Sequence, residues 1–335
     1  MAIVDFENWA KETNGFYSNW FDLLGGLSIS GDNLGPFGYG RYAEGAAFGR
    51  IFPTPINDFW FQFHFFALSG PYGFANPMVS FQNATSNDHA SIGIDYATRA
   101  SYLNYQGGVK TSPGPVFAYN SWNFAQVRLH VGNSDGSIQL WINGALVDSV
   151  SNVDTETSGG PTVHQWRLNS GNWIRFANLV VYTEAGNTPN ARTPETRIYT
   201  VQPNGAGAST NFTPNGAATN WQCQIDNPSD GDTTYTSAAS APSSDLFVCP
   251  NSSIAAGAAV YAVGVEIDAR KDDAGANDID ELLRSGGTTY AAGTPVALTS
   301  SYQRFRAFWD RDPATAAAWT VANANSAQPG YRRTT

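Results

Sequence analysis

Glycoside hydrolysis needs two carboxyl groups at a set separation, ~5–5.5 Å in a retaining pair and ~6.5–9.5 Å in an inverting one. The stretch GVEIDARKD at 264–272 comes nearest to supplying them. Side chains alternate along a strand, so Glu266 and Asp268 share one face. A third acid at i+4 or i+5 is missing, because Arg270 and Lys271 stand there. Asp272 follows six residues after Glu266, which is ~20 Å along an extended chain. The expectation is a solvated strand face whose acids meet Arg270 or Arg284, with no catalytic residue. The rival reading, a polysaccharide depolymerase or glycosidase, lacks the carboxylate pair it needs.

The four histidines, His64, His89, His130 and His164, show no metal-ligand spacing of the HExxH kind. No Gly-X-Ser-X-Gly elbow or phosphate-binding glycine loop is present. The loop DNPSDGDTTY at 226–235 gathers Asp226, Asp230 and Asp232. Hard cations favour such carboxylates, but the spacing is not that of an EF-hand loop. Asp and Asn bonding their own backbone in turns is the preferred reading. No metal and no cofactor is expected.

The remaining candidate is a surface. SIQLWINGALVDSV at 137–150 carries Asn143-Gly144 between alternating apolar residues, the sequence signal of a type I′ hairpin. Folding about that turn pairs Ile142 with Ala145, Leu140 with Val147 and Ile138 with Ser149 on the core face. Trp141 opposite Leu146 and Gln139 opposite Asp148 fall on the other face. Two further runs extend this face if the strands align. In FWFQFHFFAL (59–68), Phe61, Phe63 and Phe65 point to the core, and Trp60, Gln62, His64 and Phe66 point away. In WNFAQVRLHV (122–131), Ala125, Val127, Leu129 and Val131 are core, and Phe124, Gln126, Arg128 and His130 lie opposite. Trp60, Gln62, His64, Gln126, Arg128, His130, Gln139 and Trp141 then form one polar-aromatic surface. An indole beside amides grips a sugar ring, with the CH face on the ring and the hydroxyls on the amides. The same residues also suit a sheet covered by a loop, and Leu146 opposite Trp141 favours that. Tyr102, Tyr105 and Tyr119, on rim loops, are equal candidates for glycan contact.

These elements imply an all-β chain. Further strand-like runs are ASIGIDYA (90–97), NWIRFANLVVYT (172–183), RIYTVQ, DLFVC, VYAVGVEIDARK and YQRFRAFW. Turn signals such as Ser69-Gly70-Pro71, Asp135-Gly136 and Gly159-Gly160-Pro161 punctuate them. Strands without a long helical period predict a two-sheet sandwich. A short helical turn is expected at Pro313-Ala314-Thr315. EAGNTPNARTPET (184–196) has two prolines and no apolar periodicity, and reads as a linker that buries little surface. It divides 1–183 from 197–335.

Composition narrows the partners. The 335 residues are 42% hydrophobic and 13% aromatic, but only 14% charged, against an ordinary ~25%. The net charge of −10 disfavours nucleic acid, whose phosphates attract Lys and Arg. No apolar run is long enough to span a bilayer, so no membrane insertion is expected. The start, MAIVDFENWAKE, has two early acids and no apolar core segment, and is not read as a secretory signal. Two cysteines, Cys223 and Cys249, are expected to be thiols rather than a disulfide framework.

The first half resembles the concanavalin A-like, laminin G-like jelly roll found in structural proteins of tailed bacteriophages. Four pieces carry the resemblance: DFE at 5–7, GRYAEGAAF at 40–48, the aromatic strand at 59–66, and WNFAQVRLHVGNSDGSIQLWINGALVDS at 122–149 with its closing NLVVYT. The second half resembles a region of phage and prophage minor structural proteins, through RIYTVQPNGAGASTNFTPNG, the Asp-rich DNPSDGDTTY, ARKDDAG, LRSGGTTY and DPATAAAWTVANANSAQPG. The resemblance implies an N-terminal jelly-roll sandwich (1–183) followed by a second β-sandwich-like domain (197–335). It implies a non-catalytic virion protein, a head decoration, head fibre or tail-associated component, made in the host cytoplasm. Its partners would be other virion structural proteins and host surface glycans. Weak glycan contacts gain from multiple copies, so a homo-oligomer, a trimer before other states, or many copies held by particle symmetry, is expected. Calcium-binding relatives carry paired Asp before the closing strand. Ala177-Asn178 stand there in this chain, so no calcium site is carried over.

Overall fold

The computed structural model describes residues 2–7, 23–25, 28–30, 42–44, 47–70, 74–169, 173–183, 192–226 and 230–335. They form two compact units, Met1–Ile198 and Tyr199–Thr335.

The first unit is a sandwich of two antiparallel sheets. Its strands are β1 (Ala2–Glu7), β2 (Leu23–Gly25), β3 (Ser28–Ser30), β4 (Tyr42–Glu44), β5 (Ala47–Ile56), β6 (Asp58–Ala67), β7 (Phe74–Gln82) and β8 (Asp88–Asp95). β9 (Ser101–Tyr105), β10 (Gly108–Thr111), β11 (Trp122–His130), β12 (Gly136–Ile142), β13 (Ala145–Val153), β14 (Val163–Leu168) and β15 (Ile174–Thr183) complete it. One sheet runs β13-β12-β11-β6-β15-β4-β3, with β1 also on β15, and the other runs β10-β9-β8-β7-β14-β5-β2. Alternation in β6 drives Phe59, Phe61, Phe63 and Phe65 wholly into the space between the sheets. There Phe61 meets Phe81 edge-on at 5.1 Å and Trp166 at 5.6 Å, the geometry that aromatic quadrupoles favour. Ala125, Val127 and Leu129 of β11, with Ile138, Leu140 and Ile142 of β12, fill the same core.

The β12–β13 turn has the expected form, with φ of 53° at Asn143 and 86° at Gly144. Its register does not continue as expected. Trp141 pairs with Leu146, but a bulge then sets Leu140 opposite Asp148, Gln139 opposite Ser149 and Ile138 opposite Val150. An extra residue moves every later side chain to the other face. Asp148 therefore leaves the outer face for the sandwich interior. Its side chain is 2% exposed and lies 3.3 Å from Lys110 Nζ of the opposite sheet's edge strand. Lys110 also donates to the Ser149 carbonyl at 2.5 Å, closing the side of the sandwich at its β13 edge.

The second unit is also nearly all β. Its strands are β16 (Gly205–Thr210), β17 (Thr213–Asn215), β18 (Tyr235–Ser237), β19 (Ser243–Val248), β20 (Val263–Ala269), β21 (Asp278–Ser285), β22 (Thr288–Ala291), β23 (Val296–Ala297), β24 (Gln303–Trp309) and β25 (Gln328–Arg333). A sheet ordered β16-β19-β25-β21-β22, with β23 on β21, forms one layer. The two-stranded sheet β20-β24 lies on it through Val265 against Leu283 and Trp319, and through Ile267 and Phe305 against Phe247, Ile279 and Tyr331. The segment RIYTVQ forms no strand. The expected helical turn at Pro313 is a hydrogen-bonded turn held by Asp312, which accepts from Ala314 N at 3.0 Å and Ser285 Oγ at 2.6 Å. The helix α1 comes later, at Val321–Ser326, capped by Thr320. Cys223 and Cys249 are thiols, not joined in a disulfide.

Candidate functional site

The outer face of the first sheet is assembled from β15, β6, β11 and β12 in register. Gln126 lies opposite Gln62 on one side and Trp141 on the other, and Arg128 lies between Trp60 and Gln139. Trp60 stacks on Tyr182 with centroids 6.1 Å apart and planes 9° apart, and tilts against Trp141 at 5.3 Å. All eight expected residues therefore belong to one surface. Most of it is not open. Gln62, His64 and Gln126 are each 1% exposed and Trp60 is 4% exposed.

The cover is the strap 192–196, which lies within the first unit. Residues 184–191 of the expected linker lie outside the described residues. The strap does not behave as a linker that buries little surface. Thr193 Oγ1 donates to Gln62 Oε1 at 3.1 Å and meets the Tyr182 hydroxyl at 3.1 Å. Gln126 Nε2 donates to the Thr193 carbonyl at 2.8 Å, and Arg192 donates to Gln126 Oε1 at 2.9 Å. Gln62 Nε2 donates to Thr196 Oγ1. Arg192 also lies over the Trp141 ring at 5.7 Å. Amides buried on a sheet need partners, and the polar strap supplies them. The same need leaves the strap without apolar periodicity, which is why its sequence reads as a linker.

His64 Nε2 and Glu195 Oε1 are 2.8 Å apart. Burial lowers the His64 pKa, Glu195 works against that shift, and Arg197 works with it. The Glu195 carboxyl is in turn lowered, chiefly by its bond from His64. A neutral imidazole donating Nε2–H to a carboxylate fits both shifts.

Beyond the strap the face is half-open. Arg128, His130, Gln139 and Trp141 are part-exposed, and Leu146, paired with Trp141, is 52% exposed. Asp58 anchors this margin, 3.4 Å from Arg128 and 3.6 Å from His130 Nδ1. Asp135 lies 3.7 Å from His130 Nε2. At the other end of the face, Phe66 and Trp122 meet edge-on at 5.6 Å, with Arg175 over Phe66. Sequence reasoning passed over Tyr182, Arg192, Thr193, Glu195, Thr196 and Asp58. The alternation of NLVVYT could have placed Tyr182, but nothing local to the strap marks its target.

Elsewhere the candidate groups are engaged in contacts within their own units. His89 is fully buried between Thr155, Thr157 and Thr162. His164 meets Thr162 Oγ1 at 3.3 Å. Glu266 and Asp268 do share a face, but their partners are not Arg270 or Arg284. Directly across on β24, Arg306 Nε donates to Glu266 at 2.6 Å, and Arg304 makes a two-pronged bond to Asp268 at 2.8 and 3.0 Å. Arg304 also reaches Glu266 at 3.5 Å. Asp232 turns from the other loop acids to Arg270 at 2.9 Å and the Tyr302 hydroxyl at 2.8 Å. Asp226 and Asp230 both accept from Thr234. Among the described residues, no three His, Cys, Asp or Glu side chains are placed to hold a metal ion. Asn178 occupies a bulge in β15 at φ 48°. Tyr105 packs against the core, and Tyr102 lies across Gly93. Tyr119 stacks on Tyr96 with Arg99 over its ring. Among the described residues, no helix is long and apolar enough to cross a membrane.

No protein-family model matches the chain, and no curated protein matches it significantly. Solved structures show distant likenesses. An endo-β-1,4-glucuronan lyase from the fungus Trichoderma reesei is 13% identical over 54% of this chain and 96% of its own, with a TM-score of 0.37. A Bacillus subtilis protein of unknown function with a galectin-like fold is 15% identical over 55% and 96%, also at 0.37. Trypanosoma rangeli sialidase in complex with sialic acid is 12% identical over 54% of this chain but 30% of its own, at 0.36. Likenesses of this size carry neither activity nor substrate to this chain.

Proposed function

We propose that this chain is a non-catalytic structural protein whose first unit presents a glycan-contact surface. The observation that carries the reading is the half-open margin of the outer sheet. Trp141 is held against Trp60 and by Arg192, with Gln139 and Arg128 beside it and the exposed Leu146 across the pair. A rigid indole with neighbouring amide and guanidinium donors suits the CH face and hydroxyls of a sugar. The acids of the second unit support the non-catalytic part. Glu266 and Asp268 are each engaged by an arginine from the facing strand, so neither is poised as half of an acid–base pair.

The setting belongs to the same proposal. The sequence resemblance supports a phage-like particle, with other virion structural proteins as partners. Low affinity per sugar favours several copies, as a homo-oligomer or through particle symmetry.

Glycan-array binding by the intact protein tests the contact. Trp141→Ala should reduce binding about tenfold, the scale of an aromatic contact worth ~1.4 kcal/mol. Ser151→Ala, at an exposed position, should leave it unchanged. Equal binding by wild type and Trp141→Ala would remove the margin as the contact surface.

A further inference from the structure

Apart from the exposed Pro194 the strap, Arg-Thr-Pro-Glu-Thr, is polar, and it meets its sheet through hydrogen bonds. On the same face, Trp60 Nε1 is buried without a hydrogen-bond partner. Its contact with His64 joins unlike surroundings, since the His64 side chain is 2% exposed and that of Glu195 is 49% exposed. Water therefore reaches the carboxylate from outside, whereas the imidazole is shielded.

We infer that 192–196 is an acid-released cover over the aromatic and amide floor formed by Trp60, Gln62, His64, Gln126 and Tyr182. The groups around His64 fix the direction of the response. Glu195 bonds it, and Arg197 adds positive charge from the same segment. From β11 it meets the Phe124 ring at 4.9 Å, and from β15 it is paired with Ala177, neither of which titrates. With the strap down, burial outweighs the pull of Glu195 and holds the imidazole below its ordinary value of about 6.5. With the strap lifted, the ring faces water and accepts a proton at that ordinary value. The lifted state thus binds the extra proton. Closure is fully favoured above pH ~6.5 and weakens as pH falls from there toward the lowered value. One proton per opening limits the response to about tenfold per pH unit.

The face laid bare would extend the Trp141 margin with a second indole and two amides, enough for a further sugar ring. That consequence rests on the glycan reading. The cover itself does not.

Hydrogen exchange of the backbone amides of Thr193 and of residues 195–198, in the intact protein and corrected for intrinsic rate, tests the cover between about pH 7.5 and about pH 5. In wild type, opening should rise several-fold below pH ~6.5. His64→Gln keeps an amide donor but removes the titration, and should abolish the rise. Glu195→Ala, at an exposed position, should raise opening at every pH and retain the rise. Constant opening in wild type, or an equal rise in His64→Gln, would overturn the inference. Acid-dependent opening with no saccharide bound at any pH would uphold the cover and refute the glycan reading.

Discussion

Replacing Thr193 with Val keeps the shape of the side chain and removes one hydroxyl. That hydroxyl donates to Gln62 Oε1 and meets the Tyr182 hydroxyl, both at 3.1 Å, in buried surroundings. Neither partner is stripped bare. Gln62 Oε1 keeps Gln126 Nε2 at 3.3 Å, and the Tyr182 hydroxyl keeps the Thr193 N–H at 3.3 Å. The loss is therefore two net hydrogen bonds at about 1 kcal/mol each, without the larger cost of orphaned groups. About 2 kcal/mol in a unit of this size lowers its melting temperature by about 4–8 °C. Differential scanning calorimetry reads this on the first unit's transition, with Ser151→Ala as the exposed control. A linker that merely joined two units would give no shift. A change below about 1 °C at neutral pH would refute the strap as part of the folded sandwich.

Lys110→Met leaves the Asp148 carboxylate, 2% exposed, without its cation, and should destabilise the first unit by about 1–3 kcal/mol. The estimate is set low because Lys110 is half-exposed. Adding Asp148→Asn should recover much of the loss in denaturant titrations. Recovery would fail if Asp148 faced outward as the unbulged hairpin requires. Glu266→Gln with Asp268→Asn should leave any glycan-cleaving activity unchanged while weakening the second unit. A fall of about 100-fold or more, the effect of losing a positioned acid or base, would restore the enzyme reading.

The period-two pattern made much of the sandwich legible. In β6 and β11 the alternation of Phe with Gln, His or Trp fixes both which residues are core and which share the outer face, because a sheet buried on one side tolerates no slip. The turn at Asn143-Gly144 was equally plain, since few residues accept positive φ twice. Its bulge was not. Val147 and Asp148 both turn inward, and only the distant Lys110 makes that tolerable for a carboxylate. β21, central to the second unit's sheet, was missed for the same reason. Its IDELLRS carries Asp280 and Glu281, which read as surface, yet Asp280 is 1% exposed and bonded to Arg332 at 2.7 Å. The strap shows the limit most clearly. Whether a polar segment is solvated or lies over buried amides depends on groups more than a hundred residues away, as with Glu195 and His64. The outer face was legible as a set of residues, but its closure was not.

The central claim, that the half-open margin around Trp141 is a glycan-contact surface, is tested most directly by nuclear magnetic resonance of the tryptophan indole N–H groups during titration with a glycan the protein binds. The account predicts that the Trp141 resonance shifts progressively and saturates, that the glycan stays intact, and that Trp309 and Trp319 of the second unit do not move. Saturable shifts confined to the second unit, or a glycan cleaved during the titration, would contradict it.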